Sequence, residues 1–251
     1  MFCAIPLPFH IWEQKYVTVM LATFPLVGAI IGALWWAAGL LFVTVSLPVM
    51  LAAAILTLTP FFIAGFMHLD GYMDTSDAYL SRRSLEDKLR ILKDPNVGAF
   101  AVIMLAVLLL LQFAAVYTVI ENADGSGRYL KLLIAVSVVS RSCAALSIFV
   151  LRHIPQSSYA AMLGEKTGAP PKIFIVAMGL GAIALSFVYA GIFGLIVGLA
   201  VILGYVWSMR VVYKDFKGVS GDLLGYSLVI SELCGLIALA LLQGMEVERW
   251  F

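Results

Sequence analysis

Long apolar stretches alternate with shorter polar connections along the chain. A helix needs about 20 mostly apolar residues to cross the hydrocarbon core of a bilayer. Seven stretches meet this length, at 17–38, 40–66, 99–120, 130–151, 173–190, 191–209 and 223–243. Pro48 and Pro60 predict a kink or break in the second stretch. The fifth and sixth meet near Gly191 and form either a hairpin or one irregular segment. The pattern predicts one all-α, polytopic membrane domain over residues 1–251, with about seven transmembrane helices.

Composition supports a membrane protein. Hydrophobic residues make up 63% of the chain and charged residues 12%, whereas a soluble domain has about 25% charged residues. The net charge of +1 gives no reason to expect nucleic acid as a partner. Cys3, Cys143 and Cys234 are far apart, so we expect packed thiols rather than a zinc site or a disulfide framework. The start of the chain does not have the pattern of a cleaved signal peptide.

The basic residues predict the orientation in the membrane. Twelve of the 16 Lys and Arg residues lie at Lys15 or in the connections 67–98, 152–172 and 210–222. Seven crossings from a cytoplasmic N-terminus would place all twelve in the cytoplasm, as the positive-inside rule requires. We therefore expect a multi-pass protein of a bacterial plasma membrane, with the acidic connection 67–98 facing the cytoplasm.

An acidic cluster follows the second apolar stretch directly. Asp70, Asp74 and Asp77 are spaced i, i+4 and i+7, so they share one face of a helix. Three like charges on one face repel each other unless a cation neutralises them. Mg²⁺ binds through one or two protein carboxylates together with substrate phosphates. The spacing predicts a Mg²⁺ and diphosphate site, in which Gly71 would let a phosphate approach the backbone and His68 is a further candidate group. Helix-dipole stabilisation of aspartates in a first turn would account for one or two of the three.

Other polar residues of the connections are candidates for the same site. Arg82 and Arg83 could bind phosphate charge, although membrane anchoring by positive charge also accounts for them. Asp94 could either complete the metal site or cap a helix. Gly221 and Asp222 precede the last apolar stretch and would bring a further carboxylate to the same side of the membrane, or Asp222 could serve as a helix cap.

Two charged residues lie inside apolar stretches. Arg141 occupies the middle of the fourth stretch and Glu232 the seventh. A charge at the centre of a membrane helix costs about 2.5–3.5 kcal/mol on insertion scales, so such residues face a partner or a cavity. The two residues are expected to form an ion pair, to line a polar cavity, or both.

Several of these stretches together resemble one family. Residues 68–77, His-Leu-Asp-Gly-Tyr-Met-Asp-Thr-Ser-Asp, followed by Lys-Asp and Gly within 93–98, resemble the signature of the cobalamin-5′-phosphate synthases, also called adenosylcobinamide-GDP ribazoletransferases. Residues 24–28, Phe-Pro-Leu-Val-Gly, and 221–225, Gly-Asp-Leu-Leu-Gly, with Glu232 after them, are similar to two further elements of that family. The chain departs from the family pattern at Ala101, Tyr226 and Val229.

The resemblance implies a specific reaction. The enzyme would join α-ribazole, or its 5′-phosphate, to adenosylcobinamide-GDP and release GMP. Mg²⁺ held by the acidic cluster would neutralise charge on the diphosphate. One of the carboxylates, with Asp94 and Asp222 included, or His68 would accept the proton of the attacking hydroxyl. Arg82, Arg83, Arg141 and Glu232 are the remaining candidates for substrate binding. The sequence does not fix the oligomeric state, and a homo-oligomer is one alternative.

Two other functions fit part of this pattern. A CDP-alcohol phosphotransferase would use the same metal chemistry, but its Asp-Gly-x-x-Ala-Arg run is not present after Gly71. A divalent-cation transporter would need carboxylates deep in several membrane helices, and only Glu232 clearly meets this requirement.

Overall fold

The fold is a bundle of long helices. The computed structural model describes residues 16–123, 127–155, 157 and 168–247. In this part of the chain the helices are α1 (Val17–Ala22), α2 (Phe24–Thr44), α3 (Val49–Ile63), α4 (Met67–Leu80), α5 (Leu85–Ile91), α6 (Ala99–Glu121), α7 (Leu132–Val150), α8 (Ala169–Ala190), α9 (Ile192–Phe216) and α10 (Gly221–Val247). A short 3₁₀ turn, Tyr129–Lys131, leads into α7. Across these ranges, extended pairing is limited to one bridge between His153 and Val219.

The helices have the length and composition of membrane spans. Among the described residues, α2, α6, α7, α8, α9 and α10 are each long and apolar enough to cross a bilayer, and α3 with α4 makes a seventh span if the bent pair counts as one. The prediction of an all-helical, polytopic membrane protein with about seven spans is confirmed. Outward-facing side chains such as Leu110 and Val188 are exposed and apolar, as lipid contact requires.

The predicted limits of the first two spans were wrong. A break at Thr23 separates α1 from α2, and α2 continues to Thr44 instead of ending at residue 38. The turn that follows is itself mostly apolar, so hydropathy does not reveal it. Ser46 has a positive φ of 52°, and Pro48 begins the next helix from an extended conformation.

A sharp bend separates α3 from α4. The two helix axes differ in direction by 92°. The chain turns at Gly65 and Phe66, whose φ values are +67° and +61°, a conformation that is uncommon for a residue with a side chain. The bend ends the apolar run of α3 and starts the polar sequence of α4, which packs against α6 and α10. In the same way, Gly191 with φ +57° separates α8 from α9 as two helices, which favours the hairpin interpretation.

The interior is formed mainly by α7 and α10. Small residues allow α2 to approach α7 closely: a Cβ added to Gly28 would lie 2.4 Å from the Ser137 carbonyl oxygen, and one added to Gly32 would lie 2.6 Å from Ile134 Cα. Close backbone approach at small residues is a common way for helices to associate in membranes, where no hydrophobic effect drives them together. Gly28 is the last residue of the Phe-Pro-x-x-Gly stretch, so this motif has a packing role.

Candidate functional site

The three aspartates of the acidic cluster lie on one continuous helix. α4 runs without interruption through Asp70, Asp74 and Asp77, so their spacing places them on one face, as predicted. The opposite face, which includes Leu69 and Tyr72, is buried. Asp70 is exposed, and Asp74 and Asp77 are half-buried. The cluster therefore lies at the boundary between the packed interior and the surface.

Asp222 joins this cluster from a second helix. The carboxylates of Asp70, Asp222 and Asp77 all act electrostatically on Asp74. The approach depends on glycines at the crossing of α4 and α10: a Cβ on Gly71 would lie 2.8 Å from Asp222 Cα, and one on Gly225 would lie 3.2 Å from the His68 carbonyl oxygen. The predicted placement of Asp222 beside the cluster is thus observed. The role of Gly225 as the second contact point was not predicted, because one sequence does not show which helices cross.

Asp77 lies against the start of α6. A Cβ added to Gly98, the residue that precedes α6, would come within 2.1 Å of both Asp77 carboxylate oxygens. A carboxylate at a helix N-terminus is stabilised by the helix dipole. Gly98 therefore makes room for Asp77, a role that its place in the Lys-Asp…Gly stretch did not reveal. Metal binding by Asp77 stays a prediction.

Asp94 lies outside this arrangement. Its side chain is exposed and accepts hydrogen bonds from the backbone N–H of Asn96 at 3.0 Å and from the Asn96 side chain at 2.7 Å. These hydrogen bonds lower the pKa of the Asp94 carboxyl. The residue therefore stabilises a local turn, while the cap position of α6 belongs to Gly98. The catalytic role of Asp94 stays a prediction, because in the described part of the chain no contact between Asp94 and the cluster supports it.

The carboxylates suit a divalent cation that arrives with a phosphorylated ligand. In the described ranges, Asp70, Asp74, Asp77 and Asp222 form no ion pair with Lys or Arg. Within the same ranges, no three Asp, Glu, His or Cys side chains converge closely enough to hold a metal ion by themselves. Oxygen ligands with uncompensated charge fit Mg²⁺, which usually keeps few protein ligands and completes its shell with phosphate and water.

A cavity opens beside the cluster. It has a volume of about 280 Å³ and is enclosed by α2, α4, α7 and α10. Its lining includes Phe24, His68, Asp70, Ile148 and Asp222, together with the exposed Gly221 at the start of α10. The three stretches that resemble one family, 24–28, 68–77 and 221–225, therefore all contribute residues to this cavity. Arg82 and Arg83 lie in the exposed turn after α4, and phosphate binding by them stays a prediction.

The two charged residues of the membrane interior form an ion pair. Arg141 of α7 donates a hydrogen bond to Glu232 of α10, and both are buried. Ser140 Oγ also donates to Glu232 at 2.9 Å, and Arg141 donates to the Ser137 carbonyl oxygen at 3.1 Å. The predicted pair is confirmed. Neither residue lines the cavity just described, so direct substrate binding by either stays a prediction.

A second ion pair fixes the connection after α4. Lys88 of α5 is buried and contacts Asp215 near the end of α9, with a Nζ to oxygen distance of 2.6 Å. The sequence showed Lys88 only as one of several basic residues in its connection. Its partner is 127 residues away, which explains why spacing alone could not identify the pair.

The fold and the cavity define a polytopic helical membrane protein with a carboxylate-lined cavity at one end of the bundle. The family model described as cobalamin-5-phosphate synthase matches residues 1–240, and the chain belongs to this family.

Several relatives carry the same name. The chain is 37% identical to an adenosylcobinamide-GDP ribazoletransferase of Clostridium perfringens (strain SM101 / Type A) over 96% of this chain and 95% of that protein. It is 32% identical to proteins of the same name from Clostridium botulinum (strain Alaska E43 / Type E3), over 96% and 94% of the two chains, and from Geobacillus kaustophilus, over 100% and 90%. No solved structure matches the chain.

Proposed function

We propose that this protein is an adenosylcobinamide-GDP ribazoletransferase, which joins α-ribazole or its 5′-phosphate to adenosylcobinamide-GDP. One observation carries the proposal: the three sequence stretches typical of the family meet at a single cavity beside Asp70 and Asp222. The identity of the substrates is inferred from membership of the family and from the name of its relatives. The arrangement of carboxylates supports the chemistry, because transfer from a diphosphate needs a cation and a proton acceptor close together.

The bond changes are those of a substitution at phosphorus. A ribazole hydroxyl forms a new P–O bond to the phosphoryl group that carries the cobinamide, and the bond from that phosphorus to GMP breaks. The hydroxyl proton passes to a carboxylate. Asp222 and Asp70 are the nearest to the cavity and are the candidates for this acceptor.

We further propose that Asp70, Asp74 and Asp77 hold Mg²⁺ together with the substrate diphosphate. When bound, the ion would neutralise negative charge on the diphosphate and on the departing GMP. The aspartates of α4 would orient the diphosphate, and Asp222, whose backbone packs against Gly71 of α4, would add a further carboxylate beside it. We also assign the cavity to the cytoplasmic side of a bacterial plasma membrane, because the basic residues of 82–93 and 210–217 lie at the same end of the helices as the cavity.

The activity can be tested with purified protein in detergent or nanodiscs. With adenosylcobinamide-GDP, α-ribazole and Mg²⁺, we expect one GMP released for each cobalamin product, both measured by chromatography. A parallel reaction with α-ribazole 5′-phosphate identifies the preferred acceptor. If neither acceptor gives a corrinoid product or GMP, the proposal is wrong.

The metal-binding role needs a matched variant. Asp74→Asn should lower kcat at least about 100-fold, because it removes a charge from the centre of the cluster. Asp87→Asn is the control, since Asp87 is a surface carboxylate of α5 that pairs with Arg90. Equal activity of the two variants would refute the assignment of Asp74 while leaving the transferase activity itself intact.

A further inference from the structure

A groove lies on the other side of α7 from the cavity that the acidic cluster lines. α7 presents Ala144 and Ile148 to the cavity, whereas Cys143, Leu146 and Ser147 of the same helix line the groove together with residues of α9. The groove has a volume of about 560 Å³, about twice that of the cavity. None of its lining residues belongs to the site described above.

The walls of the groove are mostly apolar, and its rim faces outward from the bundle. The lining side chains of α9 include Ile202, Val206 and Met209, and α7 adds Val150 at its end. Val206 and Val150 are 54% and 62% exposed, although both lie in helices with the length and composition of membrane spans. Exposed apolar side chains of such helices contact hydrocarbon. The groove is therefore open to the bilayer.

The dimensions of the groove match a hydrocarbon chain. Its lining along α9 runs from Ile202 to Tyr213, which is about 16 Å at a rise of 1.5 Å per residue. One leaflet provides about 15 Å of hydrocarbon, half of the total thickness. Dividing the volume by this length gives a mean cross-section of roughly 35 Å². A helix about 10 Å wide needs roughly 80 Å², so the groove is too narrow for a helix of a second copy.

A cation lies at one end of the groove. Arg210 lines the groove and is exposed, and in the described part of the chain it forms no ion pair. Tyr213 lines the same end, shortly before α9 ends at Phe216. A guanidinium group can donate two parallel hydrogen bonds to a phosphate group. Basic pockets between transmembrane helices bind the head groups of anionic lipids in this way.

We propose that this groove binds an acyl chain of an anionic phospholipid, with Arg210 donating hydrogen bonds to the lipid phosphate. The chain would extend from Arg210 along Val206 and Ile202 toward the middle of the membrane. A choline head group would place a second cation beside Arg210, so phosphatidylglycerol suits this end of the groove better than phosphatidylcholine. The bound chain would support α7 from the side opposite to the cavity. The lipid site does not depend on the proposed reaction.

Native mass spectrometry of the detergent-purified protein measures this binding directly. The protein is titrated with dioleoylphosphatidylglycerol and, separately, with dioleoylphosphatidylcholine, which has the same acyl chains. We expect the first molecule of phosphatidylglycerol to bind with a Kd about tenfold lower than that of phosphatidylcholine. Equal Kd values for the two lipids would overturn the proposal.

A charge substitution tests the role of the guanidinium group. Arg210→Gln should raise the Kd for phosphatidylglycerol to the value for phosphatidylcholine. Lys214→Gln is the matched control, because Lys214 is an exposed cation one turn further along α9 and is not part of the groove lining. This control should retain the preference for phosphatidylglycerol. If both variants lose it equally, the lipid responds to general surface charge and the proposal is wrong.

Filling the groove tests the position of the acyl chain. Val206→Trp should raise the Kd values of both lipids about tenfold, because the larger side chain occupies space that the chain needs. Leu203→Trp is the control, since Leu203 is also on α9 and is 66% exposed but does not line the groove. Equal lipid binding by the two tryptophan variants would place the chain elsewhere and contradict the proposal.

Photo-cross-linking identifies the occupant in a bilayer. A benzophenone side chain is introduced at position 206, and the protein is irradiated in nanodiscs that contain both lipids in equal amounts. We expect a product with the mass of one protein and one phosphatidylglycerol. A predominant cross-link to a second copy of the protein, or to another segment of the same chain, would show a different occupant and overturn the proposal. None of these measurements requires transferase activity, so failure of the lipid site and failure of the proposed reaction are distinguishable.

Discussion

Gly71 on α4 lies directly against the backbone of Asp222 at the start of α10. A Cβ on Gly71 would be 2.8 Å from Asp222 Cα and 3.0 Å from its carbonyl oxygen. Real Cβ atoms do not approach backbone atoms so closely, and backbone cannot move aside as a flexible side chain can. The distance between the carboxylates of the two helices is therefore set by the absence of a side chain at Gly71.

Gly71→Ala should separate α4 from α10. Overpacking of this kind costs about 1–3 kcal/mol, and we expect kcat to fall at least about tenfold because small displacements of catalytic groups are costly. Gly181→Ala is the control, since nothing lies within 4 Å of the Cβ position of this glycine in α8. Steady-state kinetics and thermal unfolding in detergent measure both effects. Unchanged activity in Gly71→Ala would show that the crossing distance does not matter.

Gly98→Ala should displace the Asp77 carboxylate. The added methyl group would collide with both of its oxygens, so Asp77 must adopt another rotamer. We expect a higher Mg²⁺ concentration for half-maximal activity, measured by titrating the reaction with MgCl₂. Gly168→Ala is a matched control, because Gly168 also precedes a helix and its Cβ position meets only Pro170 at 3.4 Å. An identical Mg²⁺ requirement in both variants would remove Asp77 from the metal site.

Arg141→Met should destabilise the bundle more than the double substitution does. Removing one member of a buried pair leaves the Glu232 charge uncompensated, at a cost of about 3–5 kcal/mol, whereas replacing both members by apolar residues is often neutral. We expect a lower unfolding temperature for Arg141→Met and recovery in Arg141→Met with Glu232→Leu.

Activity separates the two predicted roles of this pair. If the double variant regains stability and also activity, the pair is structural. If stability returns while the KM of one substrate remains raised, the pair also acts on that substrate.

Breaking the Lys88–Asp215 contact should loosen the connection between α4 and α6. The Lys88 and Asp215 side chains are 9% and 30% exposed, so solvent screens the pair only in part. We expect Lys88→Met to speed amide hydrogen exchange in α5 without affecting α8. The charge-reversed double variant, Lys88→Asp with Asp215→Lys, should restore protection. Faster hydrogen exchange that persists in this double variant would indicate lost packing on Tyr79 rather than lost charge.

The sequence was most informative where chemistry and periodicity coincide. The i, i+4, i+7 spacing of three aspartates predicted one helical face, and the cost of charge in a membrane predicted that Arg141 and Glu232 have partners. Hydropathy placed the helices but not the turn between α2 and α3, because that turn is apolar itself. The break predicted from Pro48 is confirmed, since α3 begins directly after this residue.

Long-range geometry was not available from the sequence. Asp94 and Asp222 both lie in polar connections, and each was a candidate for a place beside the cluster. The glycine contacts between α4 and α10 favour Asp222, while Asn96 engages Asp94 locally. The lining of the cavity likewise depends on which four helices come together.

The right-angle bend after α3 has a consequence for how substrates meet. A helix at 92° to α3 keeps all its residues at nearly one level along the α3 axis. Asp70 and Asp77 are about 10 Å apart along α4, at 1.5 Å per residue, and this length runs along the end of the bundle instead of through it. Reactants bound along the acidic face of α4 would therefore lie side by side at one depth of the bundle.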